Sequence, residues 1–142
     1  MTATHAEPRP RHPTLYRLAA NGRSLEFLYA RCPGCQRLTF PANAPGCMHC
    51  GAPLDEAEQV GLPGEGTLME YVTLHVALVP GMPVPAIAGD VRIAEGVVEQ
   101  GVIGVADESG LRPGMALTAI AAFDDDGLTY RCAFVPAEEN RQ

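Results

Sequence analysis

The sequence predicts a mainly β protein in which a short N-terminal helix and a cysteine ribbon precede a five-stranded antiparallel barrel. Three observations support this fold class. Two Cys-x-x-Cys pairs lie in the first half of the chain, short β-branched segments fill the second half, and 15 glycines and 13 prolines interrupt the chain too often for long helices. With 142 residues, of which 46% are hydrophobic and 19% charged, the chain can form two small globular modules.

The N-terminal residues divide into an arm and a short helix. Residues 1–12 are rich in arginine and proline and contain almost no apolar side chains, so they are predicted to form a flexible arm. Residues 13–21 place Leu15, Leu18 and Ala19 at helical spacing. This spacing predicts one short helix before the ribbon.

Four cysteines form two identically spaced pairs, Cys32-Pro-Gly-Cys35 and Cys47-Met-His-Cys50. The short stretch between the pairs lets one hairpin bring all four thiolates onto a single ion. A closed set of four thiolates is typical of structural zinc, so Cys32, Cys35, Cys47 and Cys50 are predicted to bind a structural Zn²⁺. His49 is not expected to bind the metal, because the four cysteines complete the set. Rubredoxin-like iron uses the same four sulfurs and stays open as an alternative.

Two other uses of paired cysteines fit the sequence less well. A thioredoxin-like redox motif opens a helix after a strand, whereas proline and glycine surround both pairs here. Disulfide bonds need an oxidising compartment, and no apolar leader is recognised near the start of the sequence. A run of about 18 apolar residues is also missing. We therefore expect a cytoplasmic protein with reduced cysteines and no membrane span.

Beyond residue 61 the apolar residues recur with a period of two. Leu68, Val72, Leu74, Val76 and Leu78 are predicted to share one face of a long, half-buried strand. Four further β-rich segments follow, at residues 86–94, 97–106, 115–123 and 128–135. Five strands without room for crossover helices predict a small closed antiparallel barrel. The predicted organisation is an arm (1–12), a helix and ribbon (13–60), a barrel (61–137) and a C-terminal tail (138–142).

The order of these features resembles a known family, the rubredoxin-like zinc-ribbon and OB-fold proteins that accompany thiolase-type enzymes. The resemblance covers roughly residues 15–136 and rests on Arg31-Cys32-Pro33-Gly34-Cys35, Phe40-Pro41 before Cys47-Met48-His49-Cys50-Gly51, Gly64-Glu65-Gly66-Thr67 and Ile93-Ala94-Glu95-Gly96. It implies that the barrel is an OB-fold. It also implies a non-catalytic accessory subunit that joins a thiolase, aldolase or synthase of the thiolase superfamily in a hetero-oligomer and helps to hold the acyl-CoA substrate.

The charge distribution argues against the nucleic-acid binding that a zinc ribbon with an OB-fold also suggests. Residues 61–136 contain ten acidic and three basic side chains, and this balance would repel a polyanion. A free-standing nucleic-acid-binding module is therefore the alternative function. An independent enzyme is the weakest hypothesis, because the chain has no lysine for Schiff-base chemistry and no evident nucleophile with its base.

Two groups of residues are candidates for binding the CoA ester and the partner. Arg31 and Arg37 flank the first cysteine pair, where they could meet the phosphates of CoA or compensate the negative charge of a zinc–thiolate cluster. The segment 80–85 is apolar and stiffened by three prolines. Low loop entropy and apolar area suit a buried interface, so the following residues are predicted to contact the partner enzyme: Pro80, Met82, Pro83 and Val84.

Overall fold

The computed structural model describes residues 7–137 and consists of a closed β-barrel joined to a small ribbon sheet. Ten strands occur in this part of the chain: β1 (Arg9–Pro10), β2 (Tyr16–Leu18), β3 (Leu25–Arg31), β4 (Leu38–Thr39), β5 (Glu58–Pro63), β6 (Glu65–Leu74), β7 (Ala86–Ala94), β8 (Val97–Ile103), β9 (Ala116–Phe123) and β10 (Thr129–Pro136). The helical structure within these residues is a short 3₁₀ turn, Glu108–Gly110. None of it has the length or the apolar character needed to cross a membrane.

Strands β6 to β10 form the barrel. Their order is β10-β8-β7-β6-β9, and β9 also pairs with β10, which closes the sheet on itself. Every neighbouring pair in the barrel is antiparallel except β8 with β10, which is parallel. A closed five-stranded barrel of this kind is an OB-fold. The prediction of a mainly β chain, with a ribbon followed by a five-stranded barrel, is confirmed.

The ribbon sheet is built around β3. Strand β5 pairs with β3 along one edge, and β2 and β4 pair with the other edge. The predicted helix over residues 13–21 is wrong, because Tyr16–Leu18 is a strand of this sheet. A helix of this length is marginal on its own, whereas pairing with β3 lets the Tyr16 ring pack against Tyr130 with ring centroids 6.0 Å apart. Tertiary packing overrides the weak helical spacing.

Part of the predicted arm also pairs with the barrel. Strand β1 runs parallel to β10, and the backbone N–H groups of Arg9 and Arg11 donate to the carbonyls of Leu128 and Tyr130, each at 2.8 Å. The Arg11 guanidinium donates to Asp124 at 2.9 Å. Residues 1–6 of the arm and the predicted tail at 138–142 lie outside the described residues.

One hydrophobic core joins the ribbon sheet to the barrel. Buried residues of the ribbon sheet pack with buried residues of the barrel strands in a single cluster: Tyr16, Leu25, Phe27, Tyr29, Leu68, Val91, Ile103, Leu117 and Phe134. The Tyr29 hydroxyl donates to the carbonyl of Ile93 at 3.4 Å. Between β5 and β6 the backbone of Gly64 passes so close to Leu25 that an added Cβ would lie 2.8 Å from the Leu25 oxygen. The ribbon sheet therefore lies directly on the barrel.

A β-bulge interrupts β6 at Met69. Leu68 pairs with Val91 and Glu70 pairs with Asp90, so Met69 is an extra residue on its strand. One extra residue moves all following side chains to the opposite face of a strand. Beyond the bulge, Tyr71 packs against the core and Val72 is 54% exposed.

The bulge overturns the predicted burial of the period-two row. Leu68 is buried, but the later members of the row are not: Val76 is 74% exposed and Leu78 is 71% exposed. The strand also ends at Leu74, so the last two residues belong to the loop before β7. The alternation predicted for β6 does occur, but beyond Met69 it continues on the opposite face of the strand.

Candidate metal centre and partner surface

The four paired cysteines converge on one point. Their Sγ atoms all lie within 4.8 Å of one another. The Sγ atoms of Cys32 and Cys50 are 3.6 Å apart, and those of Cys35 and Cys47 are 3.7 Å apart. A tetrahedral ion with metal–sulfur bonds of about 2.3 Å places its sulfurs about 3.8 Å from one another. The sulfur positions therefore fit a metal ion bound by four thiolates.

Each cysteine pair opens a tight turn whose backbone points at a sulfur. We call residues 32–36 the first knuckle and residues 47–51 the second knuckle. In the first knuckle the N–H groups of Gly34 and Cys35 donate to the Cys32 sulfur at 3.3 and 3.5 Å. In the second, the N–H groups of His49 and Cys50 donate to the Cys47 sulfur at 3.3 and 3.4 Å. Such donors stabilise the thiolates that a metal requires.

The same hydrogen bonds lower the pKa values of two of these thiols, Cys32 and Cys47. The N–H groups of Cys35 and Gly34 lower the pKa of Cys32. Burial acts in the opposite direction on Cys47, but hydrogen bonds from Cys50 and His49 outweigh it and lower the pKa of Cys47 to about 5. These hydrogen bonds favour the thiolate form of Cys32 and Cys47. At Cys50 the Ala52 N–H acts in the same direction, but the Cys32 sulfur and burial outweigh it and raise the pKa to about 11.

Two residues to which the sequence assigned no structural role support the second knuckle. Thr39 is only 1% exposed, and its hydroxyl oxygen accepts a hydrogen bond from the Met48 N–H at 3.0 Å. The His49 imidazole bonds to the carbonyl of Leu38 through Nε2 at 2.7 Å. On its other side, an added Cβ at Gly96 would lie 2.9 Å from the ring. The imidazole therefore joins β4 to the β7–β8 turn.

Thr39 could have been identified from the sequence as a support for the second knuckle. It carries a hydroxyl group and lies in β4, the strand that leads toward the second cysteine pair. No comparable signal marks the contact between His49 and Gly96, because these residues are far apart in the chain. His49 lies outside the group formed by the four cysteines.

The two predicted phosphate-binding arginines have different neighbours in the structure. Arg31 ends β3 opposite Glu58, with 4.0 Å between Nε and the carboxylate, and its Nη1 donates to the Gln36 carbonyl at 3.4 Å. The Arg37 side chain is exposed, with Nη2 3.0 Å from the position that a Cβ on Gly96 would take. Arg31 is thus held by the ribbon sheet, whereas Arg37 lies beside the barrel.

The predicted partner segment lies in the long loop between β6 and β7. Pro80, Pro83 and Val84 are exposed, and Met82 is half-buried. The Met82 sulfur accepts a hydrogen bond from the N–H of Leu78 at 3.4 Å, which folds the loop back on itself. Exposed apolar side chains thus cluster along this loop. Several apolar side chains exposed on one loop mark an interaction surface more often than a single exposed one does.

The fifth cysteine belongs to the core. Cys132 packs against the hydrophobic cluster of the barrel, and burial raises the pKa of its thiol to about 12. A thiol in this state is a poor nucleophile and a poor metal ligand at neutral pH. Cys132 therefore has a packing role.

Two family models match the chain. The model described as the ChsH2 rubredoxin-like zinc ribbon domain matches residues 20–56, and the model described as the ChsH2 C-terminal OB-fold domain matches residues 59–122. The chain is also similar to a solved structure named Ltp2-ChsH2(DUF35) aldolase, with 25% sequence identity and a TM-score of 0.63. The similarity covers 79% of this chain and 85% of that one. Comparison with curated protein sequences gives no significant match.

Proposed function

Because the chain belongs to the family of ChsH2 zinc-ribbon and OB-fold proteins, we propose that it is a non-catalytic accessory subunit of a thiolase-superfamily enzyme complex acting on acyl-CoA. The observation that carries this proposal is the succession of both ChsH2 domains between residues 20 and 122. The name of the similar solved structure joins a ChsH2 component to an aldolase. This name supports a partner enzyme for the present chain and favours an aldolase among the enzymes of the superfamily.

The metal in this proposal is a structural Zn²⁺ bound by Cys32, Cys35, Cys47 and Cys50. The sulfur–sulfur distances of 3.6 and 3.7 Å support it. Four thiolates fill a tetrahedral coordination shell, so the ion contributes to folding and leaves no position for substrate. Reduced cysteines are required for such a site, and this requirement supports a cytoplasmic location.

In the proposed complex the partner enzyme supplies the catalytic groups, and this chain supplies surfaces. The loop that contains Pro80, Met82, Pro83 and Val84 is the proposed contact with the partner. Arg37 is the better candidate for a CoA phosphate, because its guanidinium is exposed and forms no ion pair within residues 7–137, whereas Arg31 lies opposite Glu58.

The outer face of strands β7 and β8 argues against nucleic-acid binding. OB-folds bind oligonucleotides on the face of their second and third strands, which here are β7 and β8. The outward residues of these two strands are mostly small, apolar or acidic and include no aromatic ring: Ala86, Ala88, Asp90, Arg92, Val98, Gln100 and Val102. Single-stranded nucleic acid needs basic grooves and stacking rings, and this face offers neither.

The test is the activity of the chain with and without its partner. The native complex is purified, its second subunit is identified by mass spectrometry, and both subunits are then produced separately and together. Acyl-CoA turnover is measured by thiol release. We expect no turnover by this chain alone, and full activity of the partner only when this chain is present.

Two results would overturn the proposal. One is turnover of acyl-CoA by the isolated chain, and the other is a partner whose activity does not depend on this chain. A titration with single-stranded DNA and RNA at low salt tests the alternative function. Binding tighter than the non-specific range of about 10⁻⁴ M, with a strong salt dependence, would favour the nucleic-acid module instead.

A further inference from the structure

We propose that the partner enzyme docks on the outer face of strands β6, β7 and β8, and that the bulge at Met69 creates this docking surface. The inference rests on the proposed function and specifies the surface and the chemistry of the partner. Three residues form a row across the three strands, because Val72 pairs with Ala88 and Ala88 pairs with Val102. We call this row, together with Leu78 and Val84 of the adjoining loop, the apolar outer face.

The bulge explains why apolar residues point away from the core. If β6 alternated regularly through Met69, Val72 would lie on the same face as Leu68, which is fully buried. With the bulge, Tyr71 takes the inward position and its hydroxyl donates to the carbonyl of Leu111 at 3.1 Å. Val72 and Val102 are then 54% and 50% exposed. Bulges that re-aim side chains are structural features of a fold and not defects.

The loop between β6 and β7 turns this face into a groove. Leu78 lies beside Val72, Leu74 and Ala88, and together they line an open groove of about 370 Å³. The hydrogen bond from Leu78 N–H to the Met82 sulfur holds the loop in this position. The groove is therefore suited to an apolar side chain from another molecule, and it continues the surface of the predicted partner loop.

The rim of the groove indicates the charge of that molecule. Glu70 and Asp90 line the groove and pair directly across β6 and β7. Two like charges opposite each other destabilise a sheet, and within residues 7–137 neither carboxylate has an ion-pair partner. A lysine or arginine from a docked protein would relieve this repulsion. The expected partner surface thus has an apolar side chain flanked by basic residues.

A second copy of this chain does not fit the same description. A twofold interface brings the same patch of both copies together, so Glu70 and Asp90 would approach their own equivalents. The chain carries a net charge of −7, and its surface lacks lysine altogether. Charge complementarity therefore selects a different protein as the occupant.

The experiment measures the affinity of the chain for the partner subunit identified in the native complex. Val102→Asp places a charge in the apolar outer face, and we expect it to weaken binding about 30-fold or more. Val98→Asp is the matched control. Val98 is also 50% exposed and points outward from the same strand, but it pairs with Arg92, outside the apolar row. We expect a much smaller effect there.

A second variant separates docking from folding. Asp90→Asn removes one of the two facing carboxylates, so we expect the isolated chain to unfold at the same or a higher temperature. The affinity for the partner should nevertheless fall about tenfold, with a weaker dependence on salt, because a rim charge mainly provides electrostatic attraction. A variant that lost affinity merely through a damaged fold would show the opposite thermal shift.

The outcomes distinguish this inference from the proposed function. Wild-type affinity in both Val102→Asp and Asp90→Asn would overturn the docking surface and leave the accessory-subunit proposal intact. Dimerisation of the isolated wild-type chain that is lost in Val102→Asp would identify a second copy as the occupant of this face. That result would also overturn the proposal that the partner enzyme docks there. If no thiolase-superfamily enzyme binds the wild-type chain, the proposed function fails, and the docking surface fails with it.

Discussion

The two knuckles have the same internal geometry and different surroundings. In the first, the N–H of Gln36 donates to the Cys32 carbonyl at 2.9 Å, and in the second the N–H of Gly51 donates to the Cys47 carbonyl at 2.9 Å. The next bond also repeats, because the N–H of Cys32 donates to Arg37 at 2.9 Å and that of Cys47 donates to Ala52 at 2.8 Å. The same local turn therefore directs the sulfurs in both knuckles.

The difference lies in the two residues between the cysteines. In the first knuckle these are Pro33 and Gly34, both exposed. In the second they are Met48, whose N–H is bound by buried Thr39, and His49, which bonds to Leu38 and packs on the β7–β8 turn. The two knuckles thus share their metal-ligand geometry, but the residues between the cysteines of the second also pack against the β7–β8 turn of the barrel.

The largest expected loss of stability comes from substitutions that test whether both knuckles are needed to bind the metal. Cys35→Ser and Cys50→Ser should each abolish tight zinc binding and leave the ribbon partly unfolded or aggregated. Structural zinc provides on the order of 10 kcal/mol of coupled binding and folding free energy in small domains. The measurement is zinc content by atomic emission together with far-UV circular dichroism.

Cys132→Ser is the matched control for these variants, because it removes a thiol that lies outside the four-sulfur group. It should retain the zinc ion. A metal-free Cys35→Ser protein that stays folded and still assembles with its partner would contradict the structural role of the metal.

The second prediction tests the difference between the knuckles. Gly96→Ala should destabilise the chain by about 2 kcal/mol, because Gly96 has a φ of +75° and an added Cβ would lie 2.9 Å from His49. Gly34→Ala in the first knuckle should change stability by less than about 0.5 kcal/mol, since its φ is ordinary and its nearest neighbour would be 3.6 Å away. Both are measured by denaturant unfolding of the zinc-loaded protein.

A double variant identifies the contact responsible. His49→Ala removes the imidazole that crowds an alanine at position 96, so the two substitutions together should cost less than the sum of their separate effects. Additive effects would show that the second knuckle does not transmit strain to the barrel through this contact, and the proposed distinction between the knuckles would be lost.

The predictability of each region follows from how local its determinants are. The cysteine spacing is local information, and it predicted both the ribbon and the group of four sulfurs. The five barrel strands were also predictable, because their period of two and their turn residues are written in short segments. The turn at Asp126 is such a case: its carboxylate accepts hydrogen bonds from the N–H groups of Leu128 and Thr129, each at 2.8 Å.

What the sequence did not predict depends on distant partners. Tyr16–Leu18 becomes a strand because β3 and Tyr130 bury it, and no helical or strand period over three residues can signal that. The bulge at Met69 is specified by the register of β7 against β6, so an alternation read along one strand could not locate it. The packing of His49 against Gly96 brings together residues of the ribbon and the barrel, and no short stretch of sequence indicates it.

The smallest expected effect returns to the residue that closes each knuckle. Gln36 and Gly51 occupy the same position, and both have left-handed backbones, with φ of +67° and +82°. A side chain in this region costs about 1–2 kcal/mol, but glycine offsets part of this through its greater freedom in the unfolded chain, by about 0.4–1 kcal/mol. Gln36→Gly should therefore stabilise the chain by up to about 1 kcal/mol.

The reverse substitution in the second knuckle completes the comparison. Gly51→Gln should destabilise the chain by a similar amount, since an added Cβ there meets no atom within 4 Å and only the backbone conformation is penalised. The hydrogen bond from the Gln36 side chain to the Pro33 carbonyl, at 3.3 Å, is exposed and changes little. Unfolding of the zinc-loaded double variant should resemble the wild type. If both single substitutions shift stability in the same direction, the knuckles are not equivalent turns, and their shared geometry does not reflect a shared conformational cost.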